Sequence, residues 1–298
     1  MVVIGIDLGG TGIKGGLVSA DGALTGVQSV RTPVEEGRDG ILNNLYGLVK
    51  ALQDSADEPV EAVGIGSAGR IDHINGSVFY ATDNLPGWTG TPIAALVQEH
   101  CGLPAFVDND VNVAAVGEAW IGAAAQYRNF AFVALGTGVG GAIVSDGQLL
   151  HGEFGGAGEV GHLILHPFGL PCNCGQAGCF EQYASGTALN RIAHGINPDW
   201  DSRTLVERCA AGDAKAVEAI EGFVRDLAVG LVSIRNAVDP SVIVLGGGLI
   251  DAKHVWWDRL LQALKEATPK QLPIAAATLG NRAGMVGAAK IALDRIAK

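Results

Sequence analysis

Short apolar runs that end in glycine or acid-rich turns recur along the chain, at residues 2–6, 62–65, 105–107, 130–135 and 242–245. Runs this short, bounded by turn signals, read as buried strands. Between them apolar residues return at helical spacing, as in Ile41, Leu45, Leu48, Val49 and Leu52, and further helical patterns cover residues 111–120, 217–234 and 256–264. Strands alternating with helices predict an α/β protein and exclude the all-β and all-α classes.

One internal repeat sharpens that expectation. Thr11-Gly12-Ile13-Lys14-Gly15-Gly16-Leu17-Val18-Ser19 aligns with Thr137-Gly138-Val139-Gly140-Gly141-Ala142-Ile143-Val144-Ser145, with five of nine positions identical, three more similar and an offset of 126. Asp-Gly follows each copy, at Asp21-Gly22 and Asp146-Gly147. Each copy therefore predicts a strand, a glycine turn, a second strand and an Asp-Gly turn, a hairpin unit used twice. Glycine-rich hairpins can match by chance, but a duplicated domain accounts for the pairing better.

Composition narrows the function. Of 298 residues 48% are apolar, ample for a core, and 20 Lys+Arg against 31 Asp+Glu give a formal charge of -11. Such a surface repels phosphate backbones and anionic lipid, so neither nucleic acid nor membrane is an expected partner. No run approaches the roughly 20 apolar residues that span a bilayer, and the start Met1-Val2-Val3-Ile4-Gly5 lacks the basic region of a signal peptide. A cytoplasmic location is expected. Glycine is the outlier at 44 residues, about twice its average share of roughly 7%, and its clusters are expected to carry the function.

Three segments fit the dinucleotide pattern G-x-G-x-x-G, at residues 10–15, 64–69 and 136–141. That pattern marks a dinucleotide site only where a helix opens directly after the turn, and the first and third continue as apolar strands. Without a Gly-Lys dipeptide there is no Walker A loop either. What remains is a set of backbone N–H groups in tight turns between strands, suited to phosphate oxygens. Such turns can also be purely structural; two matching ones, with Asp7 before the first and Thr137 in the second, favour a phosphate clamp.

These residues resemble a known family. Ile6-Asp7-Leu8-Gly9-Gly10-Thr11 is similar to the first phosphate motif of the actin-like sugar kinases, Leu135-Gly136-Thr137-Gly138-Val139-Gly140-Gly141 to the second, and Val242-Ile243-Val244-Leu245-Gly246-Gly247-Gly248 to the adenosine motif. Gly155-Gly156-Ala157-Gly158-Glu159-Val160-Gly161-His162, followed by Cys172-Asn173-Cys174-Gly175-Gln176-Ala177-Gly178-Cys179-Phe180-Glu181, resembles the signature of the ROK family of repressors and sugar kinases. The resemblance implies a two-lobed actin-like ATPase (ribonuclease H-like) fold with a duplicated domain and a zinc-binding segment. It implies ATP and Mg²⁺ as cofactors: Asp7 would hold Mg²⁺ through water, Gly9, Gly10, Thr11, Lys14, Thr137 and Gly138 would hold the phosphates, and Gly246, Gly247 and Gly248 would border the adenine.

Cys172, Cys174 and Cys179 form C-x-C-x₄-C with His162 ten residues upstream. Three thiolates and an imidazole make a closed tetrahedral set, the structural zinc type. Cys101 and Cys209 stand alone and read as packed residues. In ROK kinases the matching histidine binds zinc through one ring nitrogen and meets the sugar with its other edge. Glu159 and Glu181 bracket the same segment. Each suits a solvated surface, yet carboxylates beside an imidazole are what a polyhydroxylated sugar requires, because buried hydroxyls must be paired.

Phe106-Val107-Asp108-Asn109-Asp110-Val111-Asn112-Val113 places a strand, a polar turn and a helix in succession. The EF-hand pattern fails because Val113 stands where glycine is needed. Asp108 or Asn109 can cap the helix and Asp110 can decorate its first turn. By resemblance Asn109 and Asp110 match the family's Asn-Asp pair, with Asp110 as general base on the sugar hydroxyl, and Asp108 receives no role. In the family the residues matching Gly69 and Asn84, within Ser67-Ala68-Gly69-Arg70 and Asn84-Leu85-Pro86-Gly87-Trp88, contact the sugar near its 3-hydroxyl. Glucokinases more often show Pro-Gly where this chain has Ala68-Gly69-Arg70, and the Gly69-Arg70 pair resembles N-acetylmannosamine kinases.

Together these features imply an ATP-dependent hexose 6-kinase of glucokinase type, with N-acetylmannosamine or N-acetylglucosamine kinase as the alternative sugar choice. A small lobe over residues 1–118, joined by a C-terminal helix at 284–298, and a large lobe over 119–283 are expected to close over the substrates, and a homodimer or homotetramer is the expected assembly. A sugar-responsive repressor of the same family would carry a helix-turn-helix ahead of the first phosphate motif, yet Asp7 is the seventh residue, and the charge is wrong for DNA. A pure sugar-binding module would not need Asp7, Thr137 and Asp110 together.

Overall fold

Two compact units make up the chain in the computed structural model, which describes residues 1–82 and 84–297. The first comprises Met1–Gln126, Leu149–Ala157 and Asn281–Lys298; the second comprises Tyr127–Gln148 and Gly158–Gly280.

In the first unit β1 (Val2–Leu8) folds back on β2 (Gly12–Ser19), followed by β3 (Leu24–Arg31), α1 (Gly37–Asp54), β4 (Val60–Ser67), the short pair β5 (Arg70–Asp72) and β6 (Ser77–Tyr80), α2 (Ile93–Cys101), β7 (Ala105–Asn109) and α3 (Asp110–Ile121). Its sheet runs β3-β2-β1-β4-β7, antiparallel across the first three strands and parallel across the last three. β1 is buried on both faces. Ile4, Ile6 and Leu8 join Leu45, Leu48 and Leu52 of α1 in one core, whereas Val3 packs with Ala289, Ala292 and Leu293 of the last helix, α9 (Ala283–Ile296).

In the second unit β8 (Phe130–Leu135) folds back on β9 (Val139–Ser145), with β10 (Gln148–Leu149) beyond it. The helices α4 (Glu181–Ala184), α5 (Gly186–Ile196), α6 (Ser202–Ala210) and α7 (Ala214–Val238) follow, then β11 (Val242–Gly246), α8 (Lys253–Ala267) and β12 (Ile274–Ala276). The sheet order β10-β9-β8-β11-β12 reproduces that of the first unit, hairpin first and parallel strands last. Val133 and Leu135 pack with Phe180, Phe223, Leu227, Leu231 and Trp256. The repeat seen in the sequence is thus the β1–β2 hairpin and its counterpart β8–β9.

The chain stays with the first unit beyond the expected boundary at 118, because α3 continues unbroken to Ile121 and packs on α9. Residues 149–157 also belong to this unit, where His151 bonds Asp108 at 2.7 Å. Not all glycine clusters face a ligand. A Cβ on Gly64 would lie 1.8 Å from the Ala288 carbonyl oxygen and one on Gly5 2.0 Å from that of Met285, so the absence of side chains lets α9 lie directly on β1 and β4. The middle G-x-G-x-x-G segment therefore begins with a packing glycine.

Candidate active site

Each glycine turn has two of its carbonyls tied down from outside the turn. After β1, the Gly9 carbonyl accepts from Thr32 Oγ1 at 2.6 Å and the Thr11 carbonyl from the Thr32 amide at 3.3 Å. After β8, the Gly136 carbonyl accepts from the Gly186 amide at 2.7 Å, and the Thr137 carbonyl from Thr187 Oγ1 at 2.7 Å. In a trans peptide plane the N–H points opposite to the C=O. Tying down those carbonyls therefore turns the amides of Gly10 and Gly12, and those of Thr137 and Gly138, away from the supporting residues. Outward-turned backbone amides are the kind of donor that an anion cradle uses.

At the end of β11 Gly247 has φ 81°, and a Cβ there would meet the Leu135 backbone at 2.5 Å. Only glycine combines that conformation with so close an approach. Gly246 ends the strand and Gly248 opens a short 3₁₀ turn with space around it.

In the first unit, register aligns the chemistry along the carboxyl ends of the parallel strands, where α/β sheets present their ligand sites. Asp7 pairs with Lys14 across the hairpin and with Gly66 of β4, and Gly66 pairs with Asp108 of β7. A Cβ on Gly284 would lie 2.7 Å from Asp7 Cγ, so the start of α9 covers this carboxylate. Burial holds its pKa above the ordinary value, and the Lys14 charge offsets part of that rise. A desolvated carboxylate beside outward-turned amides suits a hydrated cation held between it and phosphate.

Asn109 caps α3: its Oδ1 accepts from the Val111 amide at 2.9 Å and the Asn112 amide at 3.2 Å, while its Nδ2 donates to the Gly69 carbonyl at 2.9 Å. Asp110 is the first residue of α3. The β4–β5 turn and the segment carrying Asn84 are linked through buried Trp88, whose indole N–H donates to Ser67 Oγ at 3.0 Å. Asn84 itself is exposed, and its carbonyl lies 3.9 Å from a Cβ built on Gly10. The first unit thus gathers Asp7, the first turn, Gly69, Asn84, Asn109 and Asp110 around the carboxyl ends of its parallel strands.

The second unit holds the remaining predicted residues. The ligand atoms of His162, Cys172, Cys174 and Cys179 all lie within 4.8 Å of one another. Cys174 and Cys179 sulfurs are 3.6 Å apart, and Cys172 Sγ is 3.7 Å from His162 Nδ1. Four donors about 2.0–2.3 Å from one ion stand roughly 3.3–3.8 Å apart, so the set fits a tetrahedral metal. Burial pushes the Cys172 thiol up to about 12 and raises Cys179 as well. At Cys174 burial acts in the same direction, but hydrogen bonds from Gln176 and the neighbouring thiols bring it down to about 7. The His162 ring lies between two acids: Nδ1 is 3.7 Å from Glu181 Oε1 and Nε2 3.9 Å from Glu159 Oε2. Glu181 also accepts from the Cys172 thiol at 3.0 Å and from the Val139 amide at 3.4 Å, so it bridges the cysteine cluster and the second glycine turn.

Three supports were not legible in the sequence. Thr32 lies more than twenty residues from the turn it braces. Ser185-Gly186-Thr187 signals a helix start, and Ser185 does cap α5 by accepting from the Ala188 amide at 3.1 Å, but nothing local points Thr187 at Thr137. His151 is a lone histidine whose partner Asp108 had no role.

The glucokinase of Halalkalibacterium halodurans is 34% identical over 311 residues, which cover 95% of this chain and 92% of that one. The crystal structure of a ROK hexokinase from Thermus thermophilus matches with a TM-score of 0.89 at 36% identity, covering 100% of this chain and 99% of that chain. That of a ROK family glucokinase from Streptomyces griseus in complex with glucose and AMPPNP matches with a TM-score of 0.86 at 33% identity, covering 98% and 99%. The ROK family model matches residues 3–295, from β1 into the last turn of α9, and the chain belongs to the ROK family.

Proposed function

We propose that this protein is an ATP-dependent hexose kinase that phosphorylates the 6-hydroxyl of glucose. The observation that carries the reading is that each of the two glycine turns has two carbonyls tied down so that its amides face away from the protein's own donors. Glucokinases and a hexokinase of the same family, similar over nearly the whole chain, support it.

Asp110 removes the proton from the 6-hydroxyl as that oxygen attacks the γ-phosphorus in line; the bond to the departing ADP oxygen breaks, leaving sugar 6-phosphate and ADP. The amides of the two turns, with Lys14, take the charge of the phosphate oxygens. Gly246, Gly247 and Gly248 border the adenine. When bound, Mg²⁺ would be held through water by Asp7 and would neutralise phosphate charge. Asn109 and Gly69, bonded to each other, and Asn84 contact the sugar from the first unit, and Glu159, His162 and Glu181 pair with hydroxyls at its C1–C2 edge. His162 with the three cysteines would hold a structural zinc ion, fixing the imidazole that faces the sugar. N-acetylmannosamine is the second reading because the chain has Ala68-Gly69-Arg70 where glucokinases more often show Pro-Gly. A coupled ADP-release assay across glucose, mannose, fructose and the N-acetylhexosamines tests the proposal; no ADP release with any of them would refute it.

A further inference from the structure

The catalytic reading leaves the buried carboxylate of Asp108 unused. Asp108 precedes the Asn-Asp pair, is 3% exposed, and accepts three hydrogen bonds: from the Asn109 amide at 2.7 Å, from Asn112 Nδ2 at 2.8 Å and from His151 Nε2 at 2.7 Å. Two of the donors flank Asp110 in the chain. The third comes from a distant segment, residues 149–157, which is closed on itself by the Ala157 amide donating to the His151 carbonyl at 3.0 Å. That segment is packed on β5, since a Cβ on Gly155 would lie 2.5 Å from the Ile71 carbonyl oxygen. The His151 ring is held from its flat side as well, stacked on His73 with centroids 3.6 Å apart and planes 6° from parallel.

A carboxylate that merely satisfied local amides would need only Asn109 and Asn112. The imidazole fixes its free oxygen, and with both oxygens anchored the carboxylate cannot rotate without releasing the Asn109 amide or the Asn112 side chain. Asn109 is the cap of α3 and holds Gly69. Rotation at Asp108 would therefore reorient the turn that presents Asp110, and misplacement of a reacting group by about 1 Å costs on the order of 10²-fold in rate.

We propose that His151, acting through Asp108, is a positioning residue for Asp110 in phosphoryl transfer. The inference rests on Asp110 being the general base. The test is a set of kinetic variants on whichever hexose the wild-type enzyme turns over. His151→Phe keeps the stack on His73 and removes the N–H donor, and is expected to lower kcat by about tenfold or more while KM for ATP stays within about twofold. His151→Gln, whose amide nitrogen reaches where Nε2 stands, is expected to recover kcat to within about threefold of wild type. In an Asp110→Asn background the His151→Phe change is expected to cost nothing further, because a residue that acts through another has no effect once that one is gone. If His151→Phe does not fold, His151→Leu takes its place. A kcat for the donorless variant within about twofold of wild type, an equal loss in His151→Gln, or a full additional loss in the Asp110→Asn background would each overturn the proposal. If Asp110→Asn itself retains wild-type turnover, the general-base assignment has failed, a result separate from these three.

Discussion

Asp110→Asn separates chemistry from folding at the proposed base. Asn109, not Asp110, supplies the cap of α3, with its Oδ1 accepting from the amides of Val111 and Asn112. Asparagine at 110 keeps an oxygen able to accept from the Val111 amide, as Asp110 Oδ1 does at 2.9 Å. The folded state therefore keeps both the cap and that bond, and the loss of a negative charge in the first turn of the helix costs about 0.3–1 kcal/mol. For a chain of this size that lowers Tm by no more than roughly 2–4 °C. Turnover is expected to fall by roughly 10²–10⁴, the usual weight of a general base, equivalent to about 2.7–5.4 kcal/mol of barrier at 1.36 kcal/mol per tenfold. Sugar binding, which needs no proton transfer, is expected to stay nearly intact. The assay is coupled ADP release at saturating glucose and ATP, with Tm measured on the same preparations. A variant keeping more than about a tenth of wild-type kcat, or losing kcat only in step with a large drop in Tm, would refute the assignment.

The other expectations concern metal, nucleotide and sugar. Elemental analysis is expected to find one zinc per chain, and Cys174→Ser to lower thermal stability and sugar affinity together, because structural zinc contributes folding free energy directly; purified protein without zinc would rule this out. Thr187→Val removes the 2.7 Å bond to the Thr137 carbonyl. Its cost of about 1 kcal/mol, roughly fivefold, is expected in KM for ATP with KM for glucose nearly unchanged; an unchanged KM for ATP would contradict the phosphate assignment of that turn. Glucose is expected to exceed fructose clearly, since the anomeric centre of fructose is displaced from the C1–C2 edge read for Glu159, His162 and Glu181. A kcat/KM for glucose tenfold below that for N-acetylmannosamine, about 1.4 kcal/mol of transition-state binding, would move the specificity to the second sugar and leave the 6-kinase mechanism standing.

What the sequence determined by itself is what local pattern and spacing encode. The apolar runs at 2–6, 62–65, 105–107, 130–135 and 242–245 became β1, β4, β7, β8 and β11, because a strand buried on both faces must be apolar throughout. The repeat located both hairpins, since a glycine turn and an Asp-Gly turn are each set by a few adjacent residues. The spacing of Cys172, Cys174 and Cys179 after His162 was enough to anticipate a cluster, and the structure brings those four donors together. Tertiary structure decided what depends on residues far apart in the chain. Gly64 reads as part of a ligand loop until α9 is seen to lie against it, because nothing near residue 64 encodes the approach of residue 288. Thr32 and Thr187 belong to no local motif; they orient the two turns by donating to carbonyls that strand pairing and helix packing bring near. The partnership of Asp108 with His151, 43 residues apart, has the same origin: a hydrogen bond between distant residues is specified by the packing that delivers them, and no period along the chain records it.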